Sequence, residues 1–236
     1  MKPTLNKIPH HLAIVLDGNR RFAKRLMLKP FKGHEWGAKK IRELFEWCKE
    51  YNIKELTLYA FSIENFDRPK LEFDFLMDLF EKEFKKVKHD DKIYDEKIKI
   101  NFIGRIDMFP EKVKKQMRDL MASTKSHDKF IVNFAMAYGG RAEIIDATKK
   151  IAKQIKEGKL NIDQINEEVF TKNVYLESEP DLIIRTSERR LSGFLLWQGS
   201  YAEIQFLPEV LWPEFSKENF AKCLEDYANR DRRFGK

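Results

Sequence analysis

The chain has 236 residues, of which 42% are hydrophobic and 35% are charged. This balance predicts one globular domain over residues 1–236 and favours it over an intrinsically disordered chain. The chain has no apolar run of about 18 residues and no signal-peptide core near its start, so we expect a cytoplasmic protein without a membrane span. The formal net charge of +7 favours anionic partners, which include phosphates, nucleic acid and membrane surfaces.

Short apolar runs alternate with helical patterns along the whole chain. The runs predict strands at residues 12–16, 56–61, 98–103, 130–135, 181–184 and 203–206. The helical patterns cover residues 35–50, 71–88, 110–123 and 142–155, and Ser216 is positioned to cap a last helix. This alternation predicts an α/β fold with a mostly parallel six-stranded sheet covered by helices on both faces. Cys48 and Cys223 lie within amphipathic patterns, which predicts two free core thiols.

The loop after the first strand has the composition of a phosphate site. In open α/β sheets, ligands bind beyond the carboxyl ends of the strands. Gly18 and Asn19 can expose backbone N–H groups there, and Arg20 and Arg21 supply donors that suit phosphate oxygens. Asp17 fits beside a phosphate when Mg²⁺ lies between them. The alternative is a capped turn with two solvated arginines.

Three further segments carry polar groups at predicted strand ends or helix starts. His34 opens a helix, either as a capping residue or as a donor to a diphosphate. The loop after the second strand is dense in hydrogen-bonding side chains, and so is the loop after the fifth strand. The loop after the second strand could equally reflect ordinary loop chemistry, and the loop after the fifth strand could belong to a nucleic-acid surface. Their polar residues are Ser62, Glu64, Asn65, Asp67 and Arg68 in the first loop, and Arg185, Thr186, Ser187, Glu188, Arg189, Arg190 and Ser192 in the second.

Two other features bear on the site. Glu203 lies beside a short hydrophobic strand, where a buried carboxylate needs either a metal or an arginine as partner. The helix from Leu71 is apolar on nearly every side, which fits a buried core helix or the wall of a long apolar cleft between sheet and helices. Ala60 would leave room at the mouth of such a cleft.

Read together and in order, these segments resemble the cis-prenyltransferase family, which includes undecaprenyl and dehydrodolichyl diphosphate synthases. The resemblance runs from about His11 to Gly235, with an archaeal or eukaryotic character. It rests on several motifs in register, each weak by itself. They are His11–Phe22, Leu56–Pro69, Tyr138–Arg141, Asp181–Thr186, Phe194–Gln198 and Arg232–Gly235.

The resemblance implies roles for individual residues. Asp17 and Asn65 would be catalytic, and Asp17 and Glu203 would hold Mg²⁺, with Glu203 contributed across a homodimer interface. The remaining matches would bind the two diphosphate substrates or reach the partner's site. They are Gly18, Asn19, Arg20, Arg21, Phe22, Pro30, His34, Ser62, Glu64, Phe66, Arg68, Arg185, Arg190, Ser192 and Arg233.

Several positions depart from the bacterial pattern of the family. Arg20 stands where Gly is usual, Phe22 and Phe66 stand where Trp is usual, and Pro30 replaces an Arg. Ala137 replaces an Asn, and the stretch from Arg185 is one residue shorter. The resemblance therefore does not fix substrate choice or product length, but the changes remove no catalytic carboxylate and none of the other main arginines.

The activity implied is Mg²⁺-dependent condensation of isopentenyl diphosphate onto an allylic diphosphate, farnesyl or geranylgeranyl, to give a long lipid-carrier precursor. Peripheral membrane association would help such a product leave, and nucleic acid is not expected as a partner. The main alternative is a non-catalytic or partner-dependent subunit of a heteromeric enzyme. A trans-type all-helical enzyme needs Asp-Asp-x-x-Asp, and the residues after Asp90 and Asp91 do not give that spacing.

Overall fold

A computed structural model of the chain describes residues 7–230. It contains a single six-stranded sheet with the order β3-β4-β2-β1-β5-β6, and every pairing in it is parallel. The predicted α/β fold is therefore confirmed. The strands are β1 (His11–Val15), β2 (Glu55–Ser62), β3 (Ile98–Ile103), β4 (Phe130–Tyr138), β5 (Leu182–Thr186) and β6 (Glu203–Leu207).

Helices cover both faces of the sheet, which explains why the central strands are continuous apolar runs rather than alternating ones. All five residues of β1 and all five of β5 are buried. The helices are α1 (Asn19–Arg25), α2 (Gly33–Glu50), α3 (Lys70–Lys88), α4 (Asp91–Asp95), α5 (Glu111–Ser123), α6 (Gly140–Lys156), α7 (Glu167–Thr171) and α8 (Lys217–Ala228).

The long helices lie within one or two residues of their predicted bounds, and Ser216 caps α8 by accepting a hydrogen bond from the Asn219 N–H. The short helices differ from the sequence prediction. The predicted βα turn at residues 17–21 is already helical from Asn19. The predicted loop near Asp90 contains α4, because the Asp90 side chain caps it and Ile93 is buried. The short helix α7 carries no clear periodic pattern and was not predicted.

Two hydrophobic layers result from this arrangement. The larger one packs alternate strand residues such as Leu12 and Ile14 against α2, α3, α5 and α8. The smaller one, on the opposite face, contains Ala13 and Ile183 with an aromatic group formed by Tyr59, Tyr138 and Phe194. The thiols of Cys48 and Cys223 are free and buried, as predicted.

A row of hydrogen-bonded polar side chains crosses the sheet toward the amino ends of its strands. His11 Nε2 lies 2.7 Å from Thr57 Oγ1, and the Asn133 side-chain amide donates to both Thr57 and Glu55. Asn101 donates to Asn133 over 2.9 Å. The row therefore links β1, β2, β4 and β3 in the interior of the protein.

Within residues 7–230, no helix combines the length and the apolar character that a membrane span requires.

Candidate active site

A cavity of about 1300 Å³ opens at the carboxyl ends of the strands. It continues between the sheet and the helices α2 and α3, as the sequence predicted for an apolar cleft. Cavities for drug-sized ligands are commonly about 300–1,000 Å³, so this one can hold a larger molecule.

The cavity has a polar mouth and an apolar interior. Most of the predicted site residues line the mouth: Asp17, Gly18, Asn19, Arg20, Arg21, His34, Ser62, Glu64, Asn65, Arg68, Arg185 and Ser192. The interior is formed by side chains of α2, α3, β2 and β4, which are Ile41, Phe45, Ala60, Leu76, Leu79, Phe80, Phe84, Val87, Phe134 and Met136. This division matches an amphiphile with a charged head and a long hydrocarbon tail.

The turn after β1 holds Asp17 at the mouth. The Gly18 N–H donates to Asp17 Oδ1 over 2.6 Å, with a Gly18 φ of 107°. A side chain at Gly18 would meet Ser187 Oγ at 2.3 Å, so both the backbone angle and the space require glycine. The tight turn thus fixes the carboxylate against the loop that follows β5.

Arg185, on β5, joins the two loops and is almost completely buried. Its Nη2 donates to Asp17 Oδ2 over 2.9 Å and to Glu188 Oε2 over 3.0 Å. Its Nη1 donates to Ser192 Oγ over 2.7 Å and to the Arg190 carbonyl oxygen. Arg185 Nε is buried and has no hydrogen-bond partner among the described residues. The guanidinium is therefore fixed in position, with a donor still available.

Glu188 forms ion pairs with three arginines, which are Arg21, Arg185 and Arg190. Arg21 Nη2 lies 3.3 Å from Glu188 Oε1 and 3.2 Å from Asp17 Oδ1, and Arg190 Nη2 lies 2.5 Å from Glu188 Oε2. Arg21 and Arg190 are exposed, whereas Arg185 is buried. Two carboxylates and three guanidinium groups are thus concentrated at the ends of β1 and β5.

A second cluster lies on the other side of the mouth. Arg68 Nη1 donates to Glu72 Oε1 over 3.0 Å and lies 3.3 Å from His34 Nε2. Arg20 Nε lies 3.6 Å from the same Glu72 oxygen. Burial, followed by the charges of Arg68 and Arg20, lowers the pKa of His34 to about 3. His34 is therefore neutral at physiological pH and can accept one hydrogen bond while donating another.

The loop after β2 is shaped by its own side chains. Asn65 Oδ1 accepts a hydrogen bond from the Ser62 N–H over 3.1 Å, which forms half of a capping box for the 3₁₀ turn Ile63–Asp67. The Asn65 carbonyl oxygen is engaged in this bond, and an amide has no basic lone pair on nitrogen. Asn65 thus orders the loop at the mouth.

Four of the predicted binding residues that the structure describes do not line the cavity: Phe22, Pro30, Phe66 and Arg190. The Phe66 ring packs among Phe61, Phe73 and Phe109, with centroids 5.1–5.7 Å away. Phe22 packs against Trp36, and Pro30 begins a 3₁₀ turn at Pro30–Lys32. Arg190 pairs with Glu188 beside the mouth. Contact of these four residues with substrate stays a prediction. Arg233 lies outside the described residues.

A family model described as "Putative undecaprenyl diphosphate synthase" matches residues 15–235. The chain belongs to this family. The match confirms the resemblance seen in the motifs, and with it the predicted activity: the protein is an isoprenyl transferase that makes a polyprenyl diphosphate.

Proteins similar to this family member support the same conclusion. A tritrans,polycis-undecaprenyl-diphosphate synthase (geranylgeranyl-diphosphate specific) of Methanocaldococcus jannaschii is 45% identical over 98% of this chain and 84% of its own length. The Thermococcus kodakarensis protein of the same name is 44% identical over 97% and 88%. The crystal structure of lavandulyl diphosphate synthase from Lavandula x intermedia, in complex with dimethylallyl diphosphate, has a TM-score of 0.92 at 33% identity, covering 97% of this chain and 99% of that one.

The two predicted metal ligands of the transferase lie near opposite ends of the strands. Asp17 follows the carboxyl end of β1, whereas Glu203 begins β6 and pairs with Leu182, the first residue of β5. Five residues of strand separate their levels, or roughly 16 Å at the usual rise. One chain therefore does not bring these two carboxylates together.

Both carboxylates nevertheless have the chemistry that a divalent cation needs. Glu203 Oε1 and Oε2 are buried and have no hydrogen-bond partner among the described residues, and Arg230 Nε lies 3.6 Å from Oε2. Asp17 is partly exposed at the mouth, beside arginines suited to diphosphate. Within residues 7–230, no three His, Cys, Asp or Glu side chains of one chain form a cluster that could hold a metal. Each carboxylate could thus serve as one oxygen ligand of Mg²⁺ beside substrate phosphates.

Three residues of the mouth were not among the predicted site residues. Glu72 and Glu188 organise the arginines, and Arg141 lines the cavity from the start of α6. Glu72 stands four residues after Arg68, and that helical spacing was the available signal. Glu188 stood in the polar loop after the fifth strand and Arg141 in a quoted motif, but their roles depend on contacts that sequence spacing does not reveal.

Proposed function

We propose that this enzyme extends geranylgeranyl diphosphate by successive addition of isopentenyl diphosphate and makes a long polycis product. The observation that carries the proposal is the cavity, because its arginine-rich mouth continues directly into an aromatic, apolar interior. The starter is taken from the relatives, which are named as geranylgeranyl-diphosphate specific. The chain would act as one cis-prenyltransferase domain, in a homodimer.

The two polar clusters suit two diphosphate groups. The turn after β1, together with His34 and Arg68, would hold the allylic diphosphate, so that its tail enters the space between α2 and α3. Arg185, Arg190 and Ser192 would hold isopentenyl diphosphate. Guanidinium groups match phosphate oxygens in pairs, which favours this assignment over a site for a neutral head group.

Binding would exchange partners at the mouth. Arg21 and Arg185 contact Asp17 and Glu188. A diphosphate that takes donors from these arginines frees the Asp17 carboxylate, which becomes available to a cation. As the allylic C–O bond breaks, negative charge grows on the departing diphosphate, and arginines already in position stabilise that charge more than they stabilise the ground state.

Asp17 of one chain and Glu203 of a second copy would hold Mg²⁺ together with diphosphate oxygens. When bound, the ion supplies positive charge that stabilises the leaving diphosphate. The family resemblance implies this pairing across two chains. The distance between the two residues within one sheet supports it, and a dimer is the commonest symmetric assembly.

The condensation ends with loss of a proton. The allylic carbon bonds to isopentenyl diphosphate as diphosphate leaves, and a proton is then removed from the new unit to form the double bond. Asn65 is engaged with the Ser62 N–H and is a poor base, so we assign it to ordering the loop. Asp17 and a diphosphate oxygen remain the two candidate acceptors of the proton.

The test is incubation of pure protein with labelled isopentenyl diphosphate and either farnesyl or geranylgeranyl diphosphate, followed by mass analysis of the extracted lipid. We expect a ladder of long products with geranylgeranyl diphosphate, and none when a chelator removes Mg²⁺. Asp17→Asn should lower the rate by at least about 100-fold, because the charge is lost while the Gly18 hydrogen bond can remain. Asp163→Asn, in an exposed turn after α6, is the matched control.

The outcomes separate the proposals. Product from farnesyl diphosphate alone would contradict the starter assignment. No incorporation with either starter would favour a subunit that needs a different partner chain. Burial of each added five-carbon unit stabilises the bound product by about 4 kcal/mol, at ~0.8 kcal/mol per CH₂. We therefore also expect detergent or lipid to speed multiple turnover by helping the product leave.

A further inference from the structure

The positive charge of this chain is concentrated in one short stretch. Residues 19–40 contain eight Lys and Arg residues and one acidic residue, Glu35, which gives seven net positive charges. The whole chain also carries a formal net charge of +7, so the other residues together are neutral. The stretch comprises α1, α2 up to Lys40 and the turn between them.

The same stretch exposes large apolar side chains next to one another. Met27 is 96% exposed at the end of α1, between the exposed side chains of Leu26 and Leu28. Trp36 is also exposed, and its ring packs at a tilt of 60° on Phe22, with centroids 5.6 Å apart. Exposed single hydrophobic residues are common, but a contiguous group of them on a monomer indicates a binding surface.

A neighbouring helix extends this surface. The Phe31 ring lies 4.7 Å from the Phe75 ring of α3, and Lys32 Nζ lies 4.9 Å from the same Phe75 ring. Leu71 is one helical turn before Phe75 and is 66% exposed. We use the name α1–α2 face for the surface formed by Leu26, Met27, Leu28, Trp36 and Leu71 together with Lys24, Lys29 and Lys39.

Met27 has a further property. Its φ is 57°, in the left-handed region that favours glycine, and its N–H donates to the Lys24 carbonyl oxygen as α1 ends. Glycine would end the helix without strain and without an exposed thioether. A strained, solvent-exposed Met is therefore unfavourable for the isolated protein, which points to a use outside it.

We infer that the α1–α2 face docks on an anionic lipid bilayer. An apolar tip surrounded by lysines suits the boundary between acyl chains and anionic head groups. Lys24, Lys29 and Lys39 are exposed, and no carboxylate among the described residues forms an ion pair with them, so their charge is available to lipid phosphates. A nucleic acid would use the charge but not the contiguous apolar side chains.

The position of the face fits the reaction. Residues from the same two helices, among them Lys24, His34 and Ala38, line the cavity mouth. Docking would thus bring the mouth close to the lipid surface, where a growing apolar product can leave without crossing water. This last step rests on the proposed function, whereas docking itself does not.

The test is sedimentation of the full chain with vesicles of phosphatidylglycerol or of phosphatidylcholine. We expect binding to phosphatidylglycerol only, weakened by high salt. Met27→Asp should weaken binding about 10-fold, and the double variant Lys29→Gln/Lys39→Gln about 30-fold. Ile162→Asp is the matched control, since Ile162 is 70% exposed in the turn after α6, and it should bind like the unmodified chain.

A second readout uses Trp36. Brominated phosphatidylglycerol should quench its fluorescence on binding, and Trp36→Phe should lose most of that response. Equal binding to both lipids, or unchanged binding of Met27→Asp and the double variant, would overturn the inference. Conversion of a dimer to a monomer by Met27→Asp would also overturn it and assign the face to a second copy. None of these measurements depends on catalysis, so they separate docking from the proposed activity.

Discussion

Arg185 makes contacts that a lysine cannot reproduce. One guanidinium reaches Asp17, Glu188, Ser192 and the Arg190 carbonyl oxygen at the same time. We expect Arg185→Lys to raise the KM for isopentenyl diphosphate about 10-fold to 100-fold, because a single ammonium cannot fix both carboxylates and still present donors to phosphate. Steady-state kinetics with each substrate varied in turn would measure this effect.

Arg118→Lys is the control for that change. Arg118 is exposed on α5 and contacts Glu111 only through a surface ion pair, which contributes little. An unchanged KM in Arg185→Lys, with Arg118→Lys also unchanged, would mean that Arg185 does not bind isopentenyl diphosphate.

His34 should make the fold sensitive to mild acid. Its folded pKa is about 3, below the ordinary 6.5, because the ring is buried beside Arg68 and Arg20. Between these values the unfolded chain binds the proton that the folded chain excludes, so stability is full above pH 6.5 and is lost as the pH falls. Through His34 alone, the free energy of unfolding should fall by about 2 kcal/mol between pH 7 and pH 5.

Urea unfolding at several pH values would measure this slope. His34→Gln keeps a neutral hydrogen-bonding side chain without a titrating ring. Between pH 7 and pH 5 its free energy of unfolding should fall by about 2 kcal/mol less than that of the unmodified chain. The same slope in both proteins would show that other groups, such as the buried His11, cause the acid sensitivity.

At the residue scale, sequence reasoning identified donors better than their partners. Arg20, Arg21, Arg68 and Arg185 line the mouth as expected. Glu72 and Glu188, which organise them, were not in the predicted set, because the positions of these contacts depend on loops that meet only in the folded chain. The ring of Phe66 faces other aromatic rings, and no spacing rule separates that outcome from ligand contact.

Helix α3 forms one wall of the apolar interior and also part of its far end. Phe84 lies about 21 Å along the axis from the start of α3, and its ring is 4.7 Å from Phe102 and 6.1 Å from Phe134. We expect Phe84→Leu to yield longer products, because a smaller side chain extends the space for the tail. The measurement is the mass distribution of the extracted lipid.

Phe109→Leu tests whether the effect is specific. Phe109 is buried among Phe61, Phe66 and Phe80 but does not line the cavity. Both variants should lose about 1 kcal/mol of stability. If Phe109→Leu lengthened the products as much as Phe84→Leu, looser packing rather than a longer cavity would be the cause.

At the element scale, the apolar runs and the polar residues between them predicted all six strands and the long helices. Such patterns are strong where an element is long and buried. The short helices α4 and α7 depend on single caps and on packing against neighbours, which periodicity does not detect. For α3, the sequence left core helix and cleft wall as alternatives, and the structure combines both.

The whole molecule offers a test of sites shared between two chains. Asp17→Asn and Glu203→Gln should each be nearly inactive. In an equal mixture allowed to exchange subunits, half of the dimers should pair one chain of each kind, and one of their two sites would then have both carboxylates. We therefore expect about a quarter of the unmodified activity to return.

No recovery in that mixture, with mixed dimers confirmed by mass spectrometry, would contradict a site built from two chains. For this arrangement the sequence offered the family resemblance and no pattern of its own residues. It placed Glu203 on a short strand, but the edge of the sheet where that residue lies depends on strand order and direction, which only the fold supplies.

The polar row near the amino ends of the strands has a consequence for the loops at their carboxyl ends. Strands that are apolar throughout could slide past one another by two residues and still bury the same kinds of side chain, since the inward-facing pattern would be kept. His11, Thr57, Asn133 and Asn101 prevent such a slip, because it would leave buried donors and acceptors unpaired. A two-residue slip moves a strand end by about 7 Å. The hydrogen bonds near the amino ends of the strands thus fix the register that places the Asp17 loop and the Ser62 turn side by side at the carboxyl ends.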